Sequence, residues 1–263
     1  MIRPSLPRWL VLPAGAAGLF LCIPLVALLA RVPWASLPSL LTAPASVDAL
    51  WLSLRTCALT TVLSVVLGLP LALLLSRGTG RWAVAGRTLA TVPMVLPPVV
   101  AGLALLVALG RRAPLGGWLA AHGIDLAFTT TAVVVAQTFV AMPYLIVSVE
   151  GALRSTSDDF AIAAATLGAS PTTVLRRVSL PLVGPAIASG AALAFARALG
   201  EFGATLTFAG SLQGTTRTLP LEIYLQREVD TDTAIALSVV LIAIATLLVA
   251  VTARFSRGAW SQP

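Results

Sequence analysis

An all-α bundle of six membrane-spanning helices is the fold class this sequence predicts, on three observations. Hydrophobic residues make up 58% of the 263 and charged residues 10%, with a mean hydropathy of +0.96, a balance that water-soluble domains do not reach. Six apolar stretches, approximately 10–30, 50–75, 88–109, 129–150, 183–203 and 234–251, have the length that hydrocarbon demands, roughly 20 residues for about 30 Å. The third observation is the placement of the basic charge, which is all arginine. If the chain crosses six times, Arg3, Arg8, Arg77, Arg81, Arg87, Arg154, Arg176, Arg177, Arg254 and Arg257 share one side, and Arg31, Arg111, Arg112, Arg217 and Arg227 the other. The richer side is cytoplasmic by the positive-inside rule, which puts both termini there. Arg111 and Arg112 run against that rule. The net charge of +7 is thus an orientation signal rather than a nucleic-acid footprint, and lipid is the surrounding partner.

The first run follows Arg3 and Arg8 as a secretory signal would, but it is long for a signal core, and we read it as a retained helix. With its outer loop it forms an N-terminal unit, 1–45, ahead of a main domain, 46–253, and a cytoplasmic tail, 254–263. Pro70 in the second run and Pro143 in the fourth are compatible with membrane helices, where neighbours re-satisfy freed backbone groups. Pro93, Pro97 and Pro98 in the third must bend or unwind it, because each ring removes a donor and clashes with the preceding turn.

The connection from 151 to 182 changes character. Phe160, Ala163, Ala164 and Leu167 recur at helical spacing after Ser155-Thr156-Ser157-Asp158-Asp159, a cluster that offers caps and favourable charge for a helix start. Gly168 stops that helix. Ser170-Pro171 can begin a second one, carrying Val174, Leu175 and Val178 toward Pro181. In the fifth run, Arg197 and Glu201 stand one turn apart, and ionisable residues within a span are costly. They are either a structural ion pair or part of a gate in which Gly200 and Gly203 let the helix flex.

Catalytic chemistry is not indicated. Cys22 and Cys57 lie in apolar helical stretches and read as small buried hydrophobes rather than as a disulfide or metal pair. The single histidine, His122, lies beside Gly123 in an outer loop, a poor basis for a metal site. No G-x-x-x-x-G-K-[ST] phosphate loop occurs, so this chain is expected to bind no cofactor of its own.

Residues Ala163-Ala164, then Gly168 after three more, then nine residues and Val178-Ser179-Leu180-Pro181, are similar to the signature loop of ABC importer permeases, written E-A-A-x3-G-x9-I-x-L-P. The resemblance implies the type I ABC importer (MetI-like) permease fold. It also makes 158–181 a coupling loop that docks in a groove of the ATP-binding subunit through Ile162, Ala163, Ala164, Gly168, Val178, Leu180 and Pro181. Ile162 stands where the family has glutamate, which removes an ionic contact. Two further stretches resemble the molybdate permeases of that superfamily: Pro93-Met94-Val95-Leu96-Pro97-Pro98 with the glycine and arginines that follow, and Phe195-Ala196-Arg197-Ala198-Leu199-Gly200-Glu201-Phe202-Gly203-Ala204-Thr205. This likeness implies a non-catalytic subunit of the inner membrane that imports molybdate, with tungstate and sulfate or thiosulfate as alternative cargo. It further implies a homodimer, two ATPase subunits that hold ATP and Mg, and an external molybdate-binding protein. Arg111, Arg112, Arg217 and Arg227 are then candidate anion contacts at the outer mouth, against solvated charges or ion pairs such as Arg227 with Glu222 or Glu228. An ion-coupled secondary transporter is the competing expectation, opposed by the signature loop and by the lack of an internal repeat.

Overall fold

The computed structural model describes residues 7–157 and 159–258, so Arg3, Asp158 and the last five residues of the tail lie outside the described residues. Among the described residues every regular element is helical. After a short 3-10 turn come α1 (Val11–Ala30), α2 (Leu37–Thr42), α3 (Pro44–Arg77), α4 (Gly80–Val95), α5 (Pro98–Leu109), α6 (Pro114–Ala121) and α7 (Thr130–Ser155). The second half holds α8 (Asp159–Thr166), α9 (Pro171–Val174), a π turn (Leu175–Ser179) and α10 (Leu180–Leu182). Four further helices complete it, α11 (Gly184–Leu199), α12 (Gly203–Ala209), α13 (Leu219–Val229) and α14 (Thr231–Gly258).

Four single helices, α1, α3, α7 and α14, are long and apolar enough to cross a membrane. The other two expected spans are not straight. The stretch 88–109 is divided between α4 and α5, which meet at 115°, and α11 meets the helix ending at Leu182 at 66°. Counting each bent pair as one crossing gives six. The first break falls where the double proline places it: Leu96 and Pro97 are extended, with ψ of 134° and 135°, because a residue before proline is driven out of the helical region. Pro70 and Pro143, each alone, stay inside α3 and α7. The fifth run also ends earlier than its expected limit at 203. α11 stops at Leu199, and Glu201 turns its Oε1 to accept from the Ala204 amide (2.9 Å), starting α12 as a separate helix.

At the centre, α7 packs against α3 and α11. α3 and α7 run parallel: Thr60, midway along α3, faces Val134 and Gln137 in the first turns of α7, whereas a Cβ on Gly68 would lie 3.1 Å from Leu145 and Met142 further along both. α11 runs the other way, with Ala198 beside Gln137 and Gly190 beside Leu145. α3 contributes a buried stripe of small residues, Ser46, Ala49, Ser53, Thr56, Thr60, Ser64, Gly68 and Ala72. In lipid this is the composition that lets helix backbones approach, since apolar burial gives little drive there. Gln137 adds a polar tie among the three helices. It accepts from the Thr60 hydroxyl (3.2 Å) and donates to the Ala198 carbonyl (3.3 Å).

A second cluster joins α5, α7 and α12 through Ala101, Leu105, Val133, Val140 and Phe208. α5 and α12 are in backbone contact: a Cβ on Gly102 would stand 2.7 Å from the Ala204 carbonyl oxygen, and one on Gly203 would stand 2.7 Å from Pro98 Cβ. α1 is different in kind. It has no buried residue, so Cys22 is exposed, which corrects the expectation that both cysteines are buried. Cys57 is buried, and neither forms a disulfide.

α14 opens on an aspartate cap. The Asp230 carboxylate accepts from the Asp232 amide (3.1 Å) and from the Thr233 hydroxyl (2.5 Å). The Thr233 hydroxyl holds the Asp230 pKa below the ordinary carboxylate value. A depressed folded-state pKa stabilises above the unfolded value, about 3.9, and that contribution is lost as pH falls through the folded one. Thr233→Ala is expected to raise the Asp230 pKa, as read by carboxyl NMR titration.

Candidate functional site: the coupling face and the intramembrane ion pair

The segment between α7 and α11 is built as two short helices around a glycine. The Ser157 hydroxyl accepts from the Asp159 amide (3.2 Å) at the start of α8, with the Asp159 carboxylate in the first turn where the helix dipole favours it. At the other end Gly168 adopts φ of +85°. Its amide donates to the Ala165 carbonyl (2.9 Å) and the Ala169 amide to the Ala164 carbonyl (3.0 Å). This pair of bonds is a Schellman motif, which needs a left-handed residue at the glycine's position. Ser170 then caps α9 by accepting from the Thr173 amide (3.3 Å), and Pro171 occupies its first position. The π turn precedes Pro181, which has no N–H to offer the preceding turn.

α8 shows two faces. Phe160, Ala163 and Leu167 point to solvent, with Phe160 64% and Leu167 89% exposed. Ala164, Val178 and Leu180 are half-buried, and Gly168 and Pro181 are exposed. Ile162 is on the other face. With Ala161 and Ala165 it lines a cleft of about 950 Å³ whose far wall carries Arg77, Arg87 and Arg154, at the ends of α3 and α7 and on α4. The position that holds glutamate in the signature, 61% exposed here, therefore borders a cleft that three arginines of the same chain also line.

Arg87 fastens this end of the bundle. Its Nε donates to Glu150 Oε1 on α7, and its second amino group donates to the Leu75 carbonyl and, at 3.0 Å, to the Gly78 carbonyl at the end of α3. Arg154 adds a 3.6 Å contact to Glu150 one turn on. Arg87→Ala would leave a largely buried carboxylate and the last carbonyls of α3 without their donor. We expect a loss of about 2 kcal/mol, read as thermal unfolding in detergent, with a much smaller further loss when Glu150→Gln is added.

In the fifth run the structure forms the ion pair. Arg197 Nη1 lies 2.7 Å from Glu201 Oε2, with the arginine side chain 25% exposed and the glutamate 1%. The contact is off the hydrogen-bonding direction, and Oε2 has no hydrogen-bond partner among the described residues. Of the flanking glycines, Gly200 has room for a side chain, with only the Ala196 carbonyl oxygen 3.8 Å from a Cβ there, whereas Gly203 is pressed against Pro98. Gly203 is thus a point of close packing between α12 and the start of α5.

At the opposite end Arg111 contacts Asp125 (3.6 Å), both exposed. Arg111, Arg112 and Asp125 border a cleft of about 830 Å³ that Leu106 and Phe128 also line. Arg217 is engaged internally: it reaches fully buried Glu222 (3.3 Å) and Ser211, while Gln226 donates to the other Glu222 oxygen (2.7 Å). Arg227 pairs with Glu228, not Glu222, and lies over the Tyr224 ring. His122 caps α6, its Nδ1 2.8 Å from the Trp118 carbonyl, and no metal-binding group is present among the described residues. Sequence reasoning missed Arg55, placed inside the second span. α3 is 34 residues long, roughly 51 Å, and so exceeds the hydrocarbon thickness, which lets Arg55 lie over Trp51 in its first half. Arg87 with Glu150 was also missed, since nothing local marks a pair 63 residues apart, and so was Arg217 with Glu222, which are five residues apart but whose burial no local pattern marks.

The sequence pattern of the family described as binding-protein-dependent transport system inner membrane component matches residues 64–260. The chain belongs to this family. It is a multi-pass, non-catalytic inner membrane component. Among curated relatives, the molybdenum transport system permease protein ModB of Mycobacterium tuberculosis is 57% identical over 245 residues, 93% of each chain. The Escherichia coli protein of that name is 39% identical over 181 residues, 67% of this chain and 78% of its own. The sulfate transport system permease protein CysT of Escherichia coli is 33% identical over 258 residues, 94% and 91%. Among solved structures, a bacterial ABC transporter importing alginate matches with a TM-score of 0.74 at 17% identity, covering 94% of this chain and 93% of that one. The MetNI methionine ABC transporter matches at 0.63 and 19%, covering 81% and 95%. The fold is therefore that of ABC importer permeases.

Proposed function

We propose that this component is the membrane subunit of an ABC importer that carries molybdate into the cell. The observation that carries the reading is the 57% identity to molybdenum permeases, extending over 93% of both chains. The helix–Gly168–helix face supplies the mechanical part. Its apolar ridge of Phe160, Ala163 and Leu167 has no partner within the described chain, and it is suited to a groove on a separate ATPase subunit. Two permease copies with the path between them, two ATPases holding ATP and Mg, and an external molybdate-binding protein make up the working machine. Both termini lie on the cytoplasmic side, the side of Arg77, Arg81, Arg154, Arg176 and Arg177. Closure of the ATPases drives the switch in access through their different affinities for the two permease conformations.

Sulfate is the second reading, favoured by the 33% identity to the sulfate permease over 94% of the chain. Uptake into liposomes holding permease, ATPase and binding protein separates them. Labelled molybdate should enter with ATP, and a hundredfold excess of sulfate should leave that entry standing. Sulfate entry that molybdate fails to compete away would replace the first reading by the second.

A further inference from the structure

We infer that Arg197 is an anion contact on the translocation path and that Glu201 is its resident counterion, an inference that rests on the anion-import reading above. The placement of the arginine comes first. α11 turns Gly190, Ala194 and Ala198 into the bundle, while Pro185, Ala188, Leu193 and Gly200 on its other side are uncovered by this chain. Arg197 stands at the border of the two sides, two turns from buried Gly190 and one turn from exposed Leu193, with its side chain a quarter exposed, about 20 Å along the helix from Gly184 at 1.5 Å per residue. A guanidinium at such a depth faces protein or water rather than lipid. It does not stretch toward the interface, since it stays 2.7 Å from a carboxylate that is 1% exposed.

The pair is also used unequally. Glu201 is spoken for: Oε1 caps α12 at Ala204, and Oε2 faces Nη1 without a formed hydrogen bond. Arg197 is a quarter exposed and keeps donor capacity that the described residues leave unfilled. A fork of N–H groups in that state matches the oxygens of a tetrahedral oxyanion, two at a time. Glu201 neutralises the arginine while the path is empty, which lowers the cost of keeping a charge there. It also weakens the grip on the anion, and a transport site must release what it binds. In a two-fold dimer with the path at the interface, two copies of Arg197 would present two positive charges to a dianion.

Liposomes carrying the full complex test this, with molybdate and sulfate as probes and co-purification of the ATPase as the readout of assembly. The variants are Arg197→Gln, Arg197→Lys and the double Arg197→Gln with Glu201→Gln. The inference expects all three to assemble. Arg197→Gln should cut uptake at least about tenfold, Arg197→Lys should fall in between because it keeps charge without the fork, and the double should stay as low as Arg197→Gln. A purely structural pair predicts the reverse for the double, in which no charge is left unpaired. Parental uptake by the double, parental uptake by Arg197→Gln, or loss of assembly in both single variants would each overturn the inference. If the parent imports sulfate and not molybdate, the cargo assignment fails while the same ratios, read with sulfate, still decide the role of Arg197. Entry of neither anion removes both.

Discussion

Gly168→Val should cut ATP-driven uptake by about tenfold or more, while Ile162→Glu should leave it within about twofold. The valine meets no steric obstacle, because the space around a Cβ at Gly168 is open. Its cost is conformational. At φ of +85° an L-residue is disfavoured by roughly 1–2 kcal/mol, and a β-branched one is a genuine outlier there. A few residues of exposed chain cannot hold that strain, so the Schellman bonds to Ala164 and Ala165 open and α8 loses its fixed angle to α9. Docking on the ridge of Phe160, Ala163 and Leu167 would survive, but the push would no longer reach α11 through a rigid corner. Ile162→Glu acts on the other face, where the carboxylate would stand in the cleft with Arg77, Arg87 and Arg154. Gly168→Asn provides the graded control, since asparagine tolerates the left-handed region, and it should fall between the two. The measurement is molybdate taken up per ATP hydrolysed in the reconstituted complex. A larger defect in Ile162→Glu than in Gly168→Val would mean that transmission depends on the chemistry of that face and not on the corner.

Much of this corner was legible in the sequence because its determinants are local. A serine, a Ser-Pro start and a glycine at helical spacing fix caps and a turn over a few residues, and the structure places them as read. The double proline likewise marked the α4–α5 break. What escaped lies in contacts that no local pattern announces, between distant segments or between near residues whose burial the sequence does not mark. Arg87 gave no sign that it would tie α3 to Glu150, and Arg217 looked like an outer-mouth charge until Glu222 was found buried beside it. The end of α11 was misjudged for a related reason. The residues on either side of Glu201 keep the apolar character of a span, and only the turn of Glu201 back to the Ala204 amide divides one helix from the next. The small-residue stripe on α3 was present in the sequence throughout, but hydropathy averages over it, so a length-based reading of spans passed it by.

Gly102→Val should abolish assembly or lower the midpoint of thermal unfolding more than any single change at the ion pair. The reason is what surrounds it: even the first carbon of the new side chain would lie 2.7 Å from the Ala204 carbonyl oxygen and from Thr207 Cβ, and 2.9 Å from Ala204 Cα. These are largely backbone atoms of α12, which cannot rotate away as a side-chain tip can. α5 has 12 residues and α12 has 7, roughly 18 and 10 Å of helix, so neither crosses hydrocarbon alone. They hold each other through Gly102 on Ala204 and Gly203 on Pro98, and α7 closes over Phe208. Forcing them apart costs the usual 1–3 kcal/mol of overpacking and also strips packing from a pair with little else to hold it. The effect should reach the ion pair, because Glu201 caps the same helix at Ala204 and a shifted α12 draws the carboxylate from Arg197. Gly102→Ala should show the same change in milder form, by loss of ATPase co-purification on heating. Parental unfolding of Gly102→Val would mean that α5 and α12 do not approach at this point, and Glu201 would then have to hold Arg197 without that support.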